Sequence, residues 1–200
     1  ALFERMDVRS SWTYSAMFNS YASARATTLD EIVAVYEAFD ADRGAEVEHT
    51  QILLNSILPA VHKAAGSRAR LAEAKVDFAD RVWADFRRAQ VRTDLSSFLW
   101  YLKIMGDAGR VADLFALMEE MKARRDFHVP MNAYTTMMTG CMKAKNLEAA
   151  FDVLQLIPSS MRSAPHLYTY TNLLRACIKL KDFDRAVSVV DMMEKKHAQW

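Results

Sequence analysis

Hydrophobic residues recur three and four positions apart along most of the chain, which is the spacing of one face of an α-helix. From Tyr134, apolar side chains follow at Met137, Met138 and Cys141, and a second stripe begins at Leu147. Short breakers separate the paired stripes at Asp107-Ala-Gly-Arg, Ala144-Lys-Asn and Leu180-Lys-Asp. The pattern therefore predicts pairs of helices joined by tight turns.

The pattern repeats at a distance of 36 residues. Identical residues recur as Tyr134 and Tyr170, Thr135 and Thr171, Cys141 and Cys177, Lys143 and Lys179, and Lys145 and Lys181. Related segments open around the aromatic residues Phe98 and Tyr14, with a weaker start at His49. The second unit then carries about 14 extra residues. We expect them between Pro59 and Arg70, where the proline would end the first helix or begin another.

A single hairpin of this size cannot bury its apolar face, whereas stacked hairpins share a continuous core. The expected fold is therefore all-α, a right-handed α-solenoid of about five stacked helix-turn-helix repeats. Its first helices would line one extended face. The expected divisions are a lead-in at 1–10 and repeats at 11–45, 46–94 (with the insertion), 95–130, 131–166 and 167–200 (cut short).

Composition narrows the class of protein. The 200 residues are 52% hydrophobic and carry a net charge of +1, which excludes a disordered chain and a bulk polycation. Five glycines and four prolines are few for a β-fold, and two cysteines cannot build a disulfide scaffold. The sequence has no apolar run long enough to predict a membrane span, and residues 1–10 lack the apolar stretch of a secretory signal.

Motifs for catalysis or metal binding are missing from the sequence. Asp40-Ala-Asp-Arg-Gly-Ala-Glu46 fails as a calcium loop because Ala45 and Gln51 stand where glycine and glutamate are needed. The five histidines are scattered, and no nucleophile motif or phosphate-binding glycine loop occurs. We expect no metal, no cofactor, no small-molecule substrate and no enzyme activity, with both cysteines in the core.

Two segments carry a family resemblance. Tyr168-Thr-Tyr-Thr-Asn-Leu-Leu-Arg-Ala-Cys-Ile-Lys179 and Ala108-Gly-Arg-Val-Ala-Asp-Leu-Phe-Ala-Leu-Met-Glu-Glu-Met-Lys122 resemble pentatricopeptide repeats. Tetratricopeptide repeats are the main alternative, but they usually have a 34-residue period. The resemblance implies binding of single-stranded RNA at one base per repeat on the first-helix face, mainly in mitochondria and chloroplasts.

The resemblance also implies which residues would contact RNA. A base is chosen by the residue after the first-helix aromatic, together with the last residue of the repeat. These pairs are Ser15 with Ala45, Thr50 with Asp94, Leu99 with Pro130, and Thr135 with His166, while the second reading residue for Thr171 falls outside the 200 residues. The wedge positions, two places before the aromatic, are Trp12, Val47, Ser96, Asn132 and Tyr168. Only Trp12, Val47 and Tyr168 could stack well on a base, and only Thr50 with Asp94 resembles a family reading pair, one used for a purine.

Charge is distributed unevenly. Residues 11–45 hold two basic and five acidic side chains, whereas residues 167–200 hold six basic and four acidic ones. Arg175, Lys179 and Lys181 could therefore meet a phosphate backbone, or could form an ordinary solvated helix face.

Three functions remain open. The first is a non-catalytic architectural subunit that binds single-stranded or ribosomal RNA and neighbouring proteins, in the mitochondrial ribosome or its assembly machinery. The second is a sequence-selective factor for organellar transcripts, and the third is a protein-only scaffold. The resemblance implies a mitochondrion, with a chloroplast or other plastid as the alternative, and no membrane partner.

Overall fold

A computed structural model describes residues 9–24, 26–44, 47–65, 68–158 and 167–197, with the backbone alone at 68–70, 167–168 and 196–197. These described residues form ten α-helices: α1 (Ser11–Ser23), α2 (Leu29–Ala41), α3 (Gln51–Lys63), α4 (Arg68–Arg88), α5 (Leu95–Ala108), α6 (Val111–Ala123), α7 (Met131–Lys143), α8 (Leu147–Leu156), α9 (Leu167–Lys179) and α10 (Phe183–His197). The predicted all-α helical-repeat class is confirmed.

The chain divides into two compact units, Ala1–Ile104 and Met105–Trp200, with the boundary inside α5. In the first unit, α1 packs on α3, and these first helices pack on the second helices α2 and α4. In the second unit, α7 packs on α6, α8 and α9, and α9 also packs on α8 and α10. Each unit therefore stacks antiparallel hairpins with the first helices side by side.

Buried aromatic rings fill the space between the helix layers of the first unit. Tyr14 and Phe39 meet edge-on with centroids 5.5 Å apart, and Tyr36 meets Phe78 in the same way at 5.4 Å. Such pairs contribute about 0.5–1.5 kcal/mol beyond area burial. The Tyr36 hydroxyl donates to Asp85 at 3.0 Å, so a buried polar atom is satisfied.

The turns that join first and second helices in the second unit share one backbone conformation. Gly109, Lys145 and Lys181 lie 36 residues apart and have φ angles of 70°, 59° and 60°. In the second of these turns, the backbone N–H of Asn146 donates to the Cys141 carbonyl at 2.9 Å. This pattern ends a helix by a left-handed residue, which explains why the breaker motifs recur.

The second hairpin differs from the sequence expectation. Pro59 lies inside α3 and is buried, and the helix continues to Lys63 instead of ending at the proline. The extra length instead lies largely in α4, which has 21 residues where α2 has 13. The first helix of this hairpin, α3, begins at Gln51. The fourth residue of the other first helices is aromatic, but in α3 that position is taken by Leu54, and His49 lies before the helix.

Candidate nucleic-acid interface

Two large apolar side chains stand in water on neighbouring first helices. Trp12 is the second residue of α1 and is 76% exposed, and Ile52 is the second residue of α3 and is 61% exposed. The two helices pack against each other. Exposed apolar groups on adjoining elements are typical of binding surfaces, and flat or branched groups of this kind can stack on a nucleic-acid base.

The later start of α3 changes the expected residues of the second repeat. Val47 is only 5% exposed, so its side chain cannot stack on a base, and Ile52 takes the wedge position instead. Thr50 immediately precedes α3, and its hydroxyl accepts the backbone N–H of Leu53 at 3.2 Å. Thr50 is therefore a helix cap at the end of the first repeat, and Asn55 takes the reading position of the second.

Asn55 belongs to a hydrogen-bonded network with Asp94, which directly precedes α5. The Asn55 amide donates to Asp94 Oδ2 at 3.0 Å. The Ser97 hydroxyl lies 2.7 Å from Asn55 Oδ1 and 2.9 Å from Asp94 Oδ1, so these two oxygens share its one hydrogen. Asp94 also accepts the side-chain amide of Gln51, at 2.5 Å. The Asn55 side-chain nitrogen carries two hydrogens, and only one of them is donated to a described residue. The second N–H is therefore available to a ligand.

Asp94 is held as a carboxylate. Burial raises the pKa of Asp94. Hydrogen bonds from the Ser97 backbone N–H and from the Gln51, Ser97 and Asn55 side chains lower this pKa by more than burial raises it, so the net shift is downward. The Ser97 backbone N–H donates to Asp94 Oδ1 at 2.9 Å, so the same carboxylate caps α5. The charged network therefore connects α3, the helix that carries Ile52, to the first turn of α5.

The remaining reading positions are less suited to hydrogen bonding. Ser15 is 5% exposed, and its hydroxyl donates to the Ser11 carbonyl at 2.8 Å. Thr135 is half-buried and donates to the Asn132 carbonyl at 3.0 Å. Leu99 and Pro130 are half-buried and have no side-chain donor. These positions therefore offer a base edge few groups.

Some of the expected RNA-contacting residues lie outside the part of the chain that the structure describes. Ala45, His166 and the Tyr168 side chain lie outside the described residues. Thr171 is half-buried in α9, while Ser96 and Asn132, at the wedge positions of α5 and α7, are exposed. The structure therefore locates the wedge positions of the first four repeats, and the Thr135–His166 pair stays a prediction.

The expected basic cluster lies on the surface of the last hairpin. Arg175, Lys179 and Lys181 are exposed, and none of them forms an ion pair with a described residue. Lys143, one repeat earlier, is instead paired with Asp107. Three unpaired cations in one hairpin could contact phosphates without first breaking an internal ion pair.

Other chemistry has little support in the described part of the chain. No group of three or more histidine, cysteine or acidic residues there could hold a metal ion, and no helix there has the length and apolar character of a membrane span. Cys141 and Cys177 are both buried. Burial raises the pKa of Cys141 to about 11, so it is a neutral thiol and a weak nucleophile.

The stacked hairpins define a helical-repeat protein with an exposed first-helix surface. The family model of the pentatricopeptide repeat domain matches residues 116–159 and 164–199. No curated protein sequence matches the chain. The match covers 80 of the 200 residues, in the C-terminal part of the chain.

Solved structures share the fold. The pentatricopeptide repeat protein PPR10 from maize matches with a TM-score of 0.71 and 19% identity, over 95% of this chain and 25% of that chain. Nuclear proteinaceous RNase P 2 (PRORP2) from A. thaliana matches with a TM-score of 0.71 and 12% identity, over 92% and 38%. The pentatricopeptide repeat domain of Arabidopsis thaliana protein-only RNase P 1, solved in complex with tRNA, matches with a TM-score of 0.66 and 13% identity, over 92% and 87%. The chain spans about a quarter of PPR10 and 38% of PRORP2.

Proposed function

We propose that this chain is a non-catalytic RNA-binding module, an architectural subunit of an organellar ribonucleoprotein. The mitochondrial ribosome or its assembly machinery is the proposed setting, and neighbouring proteins would be bound together with the RNA. The proposal extends the match of residues 116–159 and 164–199 to the pentatricopeptide repeat domain. It also draws on the domain of protein-only RNase P 1 that binds tRNA and shares this fold.

The observation that carries the proposal is the pair Trp12 and Ile52. An unpaired base placed between two such side chains, on adjoining first helices, would be held by stacking on one side and by apolar contact on the other. Base stacking of this kind is worth about 1–3 kcal/mol and accepts every base, since every base has a π-face. The pair therefore favours single-stranded RNA without fixing its sequence.

Selective reading has one supporting observation. The free N–H of Asn55 lies in a fixed amide and would suit an acceptor on a base edge. Ser15 and Thr135 donate their hydroxyl hydrogens inside their own helices, so they can only accept. A single anchored donor favours a modest base preference rather than recognition of a long sequence, which is why an architectural role is preferred to a selective factor.

The net charge differs between the two ends of the chain, so we expect them to contribute to RNA binding in different ways. Residues 11–45 are acidic on balance and would oppose phosphate, so binding at Trp12 has to rely on stacking. Arg175, Lys179 and Lys181 supply cations in the other unit. We therefore expect weak, salt-sensitive RNA binding in which each part contributes separately.

The test is binding of fluorescein-labelled 12-nucleotide RNAs measured by anisotropy at low salt. Trp12→Ala and Ile52→Ala should each weaken binding about tenfold. Phe183→Ala is the matched control, because Phe183 is 64% exposed but lies on a second helix. Unchanged affinity in both first-helix variants, or an equal loss in the control, would remove the base-stacking surface.

Base preference separates the architectural role from the selective one. Affinities for oligo(U), oligo(A) and oligo(C) should differ by less than about tenfold, whereas specific recognition typically exceeds a thousandfold. Asn55→Ala should reduce whatever preference exists. No RNA binding at all, with stable protein partners on affinity purification, would favour the protein-only scaffold instead.

The cellular setting needs a separate measurement. A tagged full-length protein should sediment with ribosomal particles from purified mitochondria, and nuclease treatment should release part of it. Sedimentation only as a free protein would contradict the ribosomal role, and enrichment in plastids would move it to that organelle.

A further inference from the structure

The last hairpin, α9 with α10, exposes large apolar side chains to water. Ile178 of α9 is 53% exposed. On α10, Phe183 and Val187 are 64% and 61% exposed, and Val190 is also exposed. The three α10 residues follow one another at intervals of four and three positions, so they form one stripe along the helix.

The preceding hairpin shows which side of α10 this stripe occupies. The guanidinium of Arg185 in α10 lies 5.9 Å from the centre of the Phe151 ring in α8, and α9 packs on both α7 and α8. Phe151 is the equivalent of Val187 at the 36-residue spacing. The side of α8 that the last hairpin contacts is therefore the side that α10 exposes.

Equivalent positions in the two hairpins differ in burial. Leu147 at the start of α8 is 5% exposed, whereas its equivalent Phe183 at the start of α10 is largely exposed. Met138 in α7 is buried, whereas its equivalent Leu174 in α9 is only half-buried. Ile178 follows Leu174 by one helical turn, so it extends the same side of α9. The last hairpin thus keeps the apolar residues of a covered face, and exposed apolar patches of this kind mark interaction surfaces.

Charges of opposite sign lie along the two edges of this apolar face. Helix periodicity places Arg175 on the edge of α9 opposite the buried Leu173 and Cys177. It places Asp184 and Asp191 on the outer edge of α10, away from the side that this helix buries. These three charged side chains are exposed, and none of them forms an ion pair with a described residue.

We infer that the exposed face of α9 and α10 binds a second copy of this chain in a two-fold symmetric dimer. A two-fold axis parallel to the helices would place each α9 over the partner's α10, with the turns of both hairpins at the same end. The apolar side chains would meet in the centre, and Arg175 would lie within reach of the partner's Asp184 and the partner's Asp191. An apolar core with a polar rim is the usual arrangement of a protein interface.

The distribution of charge favours this occupant. A face with one basic edge and one acidic edge is complementary to itself when each α9 lies over the partner's α10, whereas α9 over α9 would bring like charges together. RNA would be opposed by the acidic edge of α10. The inference goes beyond the proposed function and does not rest on it, because Trp12, Ile52 and Asn55 belong to the other unit.

Sedimentation equilibrium of the nuclease-treated full chain tests the dimer. The average mass should rise from one copy to two as the concentration rises. Val187→Asp should weaken this association at least about a hundredfold, because each copy would bury an unpaired carboxylate, and it should fold because Val187 is exposed within one chain. Ser188→Asp is the matched control. It adds the same charge to the same helix away from the apolar stripe, so the Kd of the dimer should change less than about threefold.

A charge exchange tests the two-fold pairing. Arg175→Glu and Asp191→Arg should each weaken self-association about tenfold, since like charges would meet at two symmetric places in the dimer. An equimolar mixture of the two variants should associate within about threefold of the unchanged chain, because opposite charges then face each other again.

Several results would overturn the inference. A single copy at every concentration would leave the face to a different protein. An unchanged dimer in Val187→Asp would place the contact elsewhere, and a mixture as weak as either charge variant would exclude the two-fold pairing. Association that is seen only before nuclease treatment would show that RNA bridges the copies and would assign Arg175 to phosphate.

Discussion

Replacing Lys145 with glycine should stabilise the protein. Lys145 follows α7 with a φ of 59°, in a conformation that glycine adopts freely and that costs other residues about 1–2 kcal/mol. Gly109 fills the same position one repeat earlier, with a φ of 70°. The Lys145 side chain is exposed and has no ion pair with a described residue, so its loss removes little else.

The magnitude follows from two opposing terms. Relief of the left-handed conformation gains about 1–2 kcal/mol. The greater conformational freedom of glycine in the unfolded chain destabilises the folded variant by about 0.5–1 kcal/mol. The midpoints of the two ranges give a net gain of about 0.75 kcal/mol, which corresponds to a rise in Tm of about 1.5–3 °C for a chain of this size.

Two substitutions serve as comparisons in thermal unfolding followed by circular dichroism. Arg175→Gly introduces glycine inside α9 and should lower stability by about 1 kcal/mol. Gly109→Ala should lower it by about 1–2 kcal/mol, since the new Cβ would lie 3.1 Å from the Cβ of Ala144 at a strained φ. A Tm for Lys145→Gly that falls as far as that of Arg175→Gly would refute the reasoning.

Three further predictions concern the packed interior. Gly140→Ala should cost about 1–3 kcal/mol in urea unfolding, because its Cβ would lie 2.8 Å from the Cα of Gly106; a cost below 0.5 kcal/mol would contradict the tight helix contact. His49 has a pKa lowered mainly by burial, so stability should fall as the pH drops below about 6.5 and stay level above it, and His49→Phe should flatten that part of the profile. Cys141 should react with iodoacetamide only on unfolding at neutral pH, and rapid labelling of the native chain would show that it is not buried.

The later repeats could be predicted because their signals are local. The 36-residue spacing places Tyr134 and Tyr170 at the fourth position of α7 and α9, and the breaker motifs coincide with the left-handed turns. These features depend on helix periodicity and on turn chemistry, both of which are readable from a short window of sequence.

The second repeat could not be placed from its aromatic residues. His49 imitates the aromatic that opens a first helix, whereas the residue in that position is Leu54, and the ring of His49 lies between those of Phe39 and Phe86. Capping residues mark the start of the first helices better than the aromatic residues do, since Thr50 directly precedes α3 and Asp94 directly precedes α5. Asn55 takes the reading position because α3 begins at Gln51, a boundary that the aromatic pattern does not mark.

Photo-crosslinking is the most direct test of the RNA-binding surface. The full-length chain would be irradiated with a 4-thiouridine oligonucleotide, and the crosslinked peptides would be identified by mass spectrometry. Crosslinks should concentrate at Trp12, Ile52 and Asn55 on the first helices. Crosslinks confined to the second helices α2 and α4, or none above the level of a denatured control, would contradict the account.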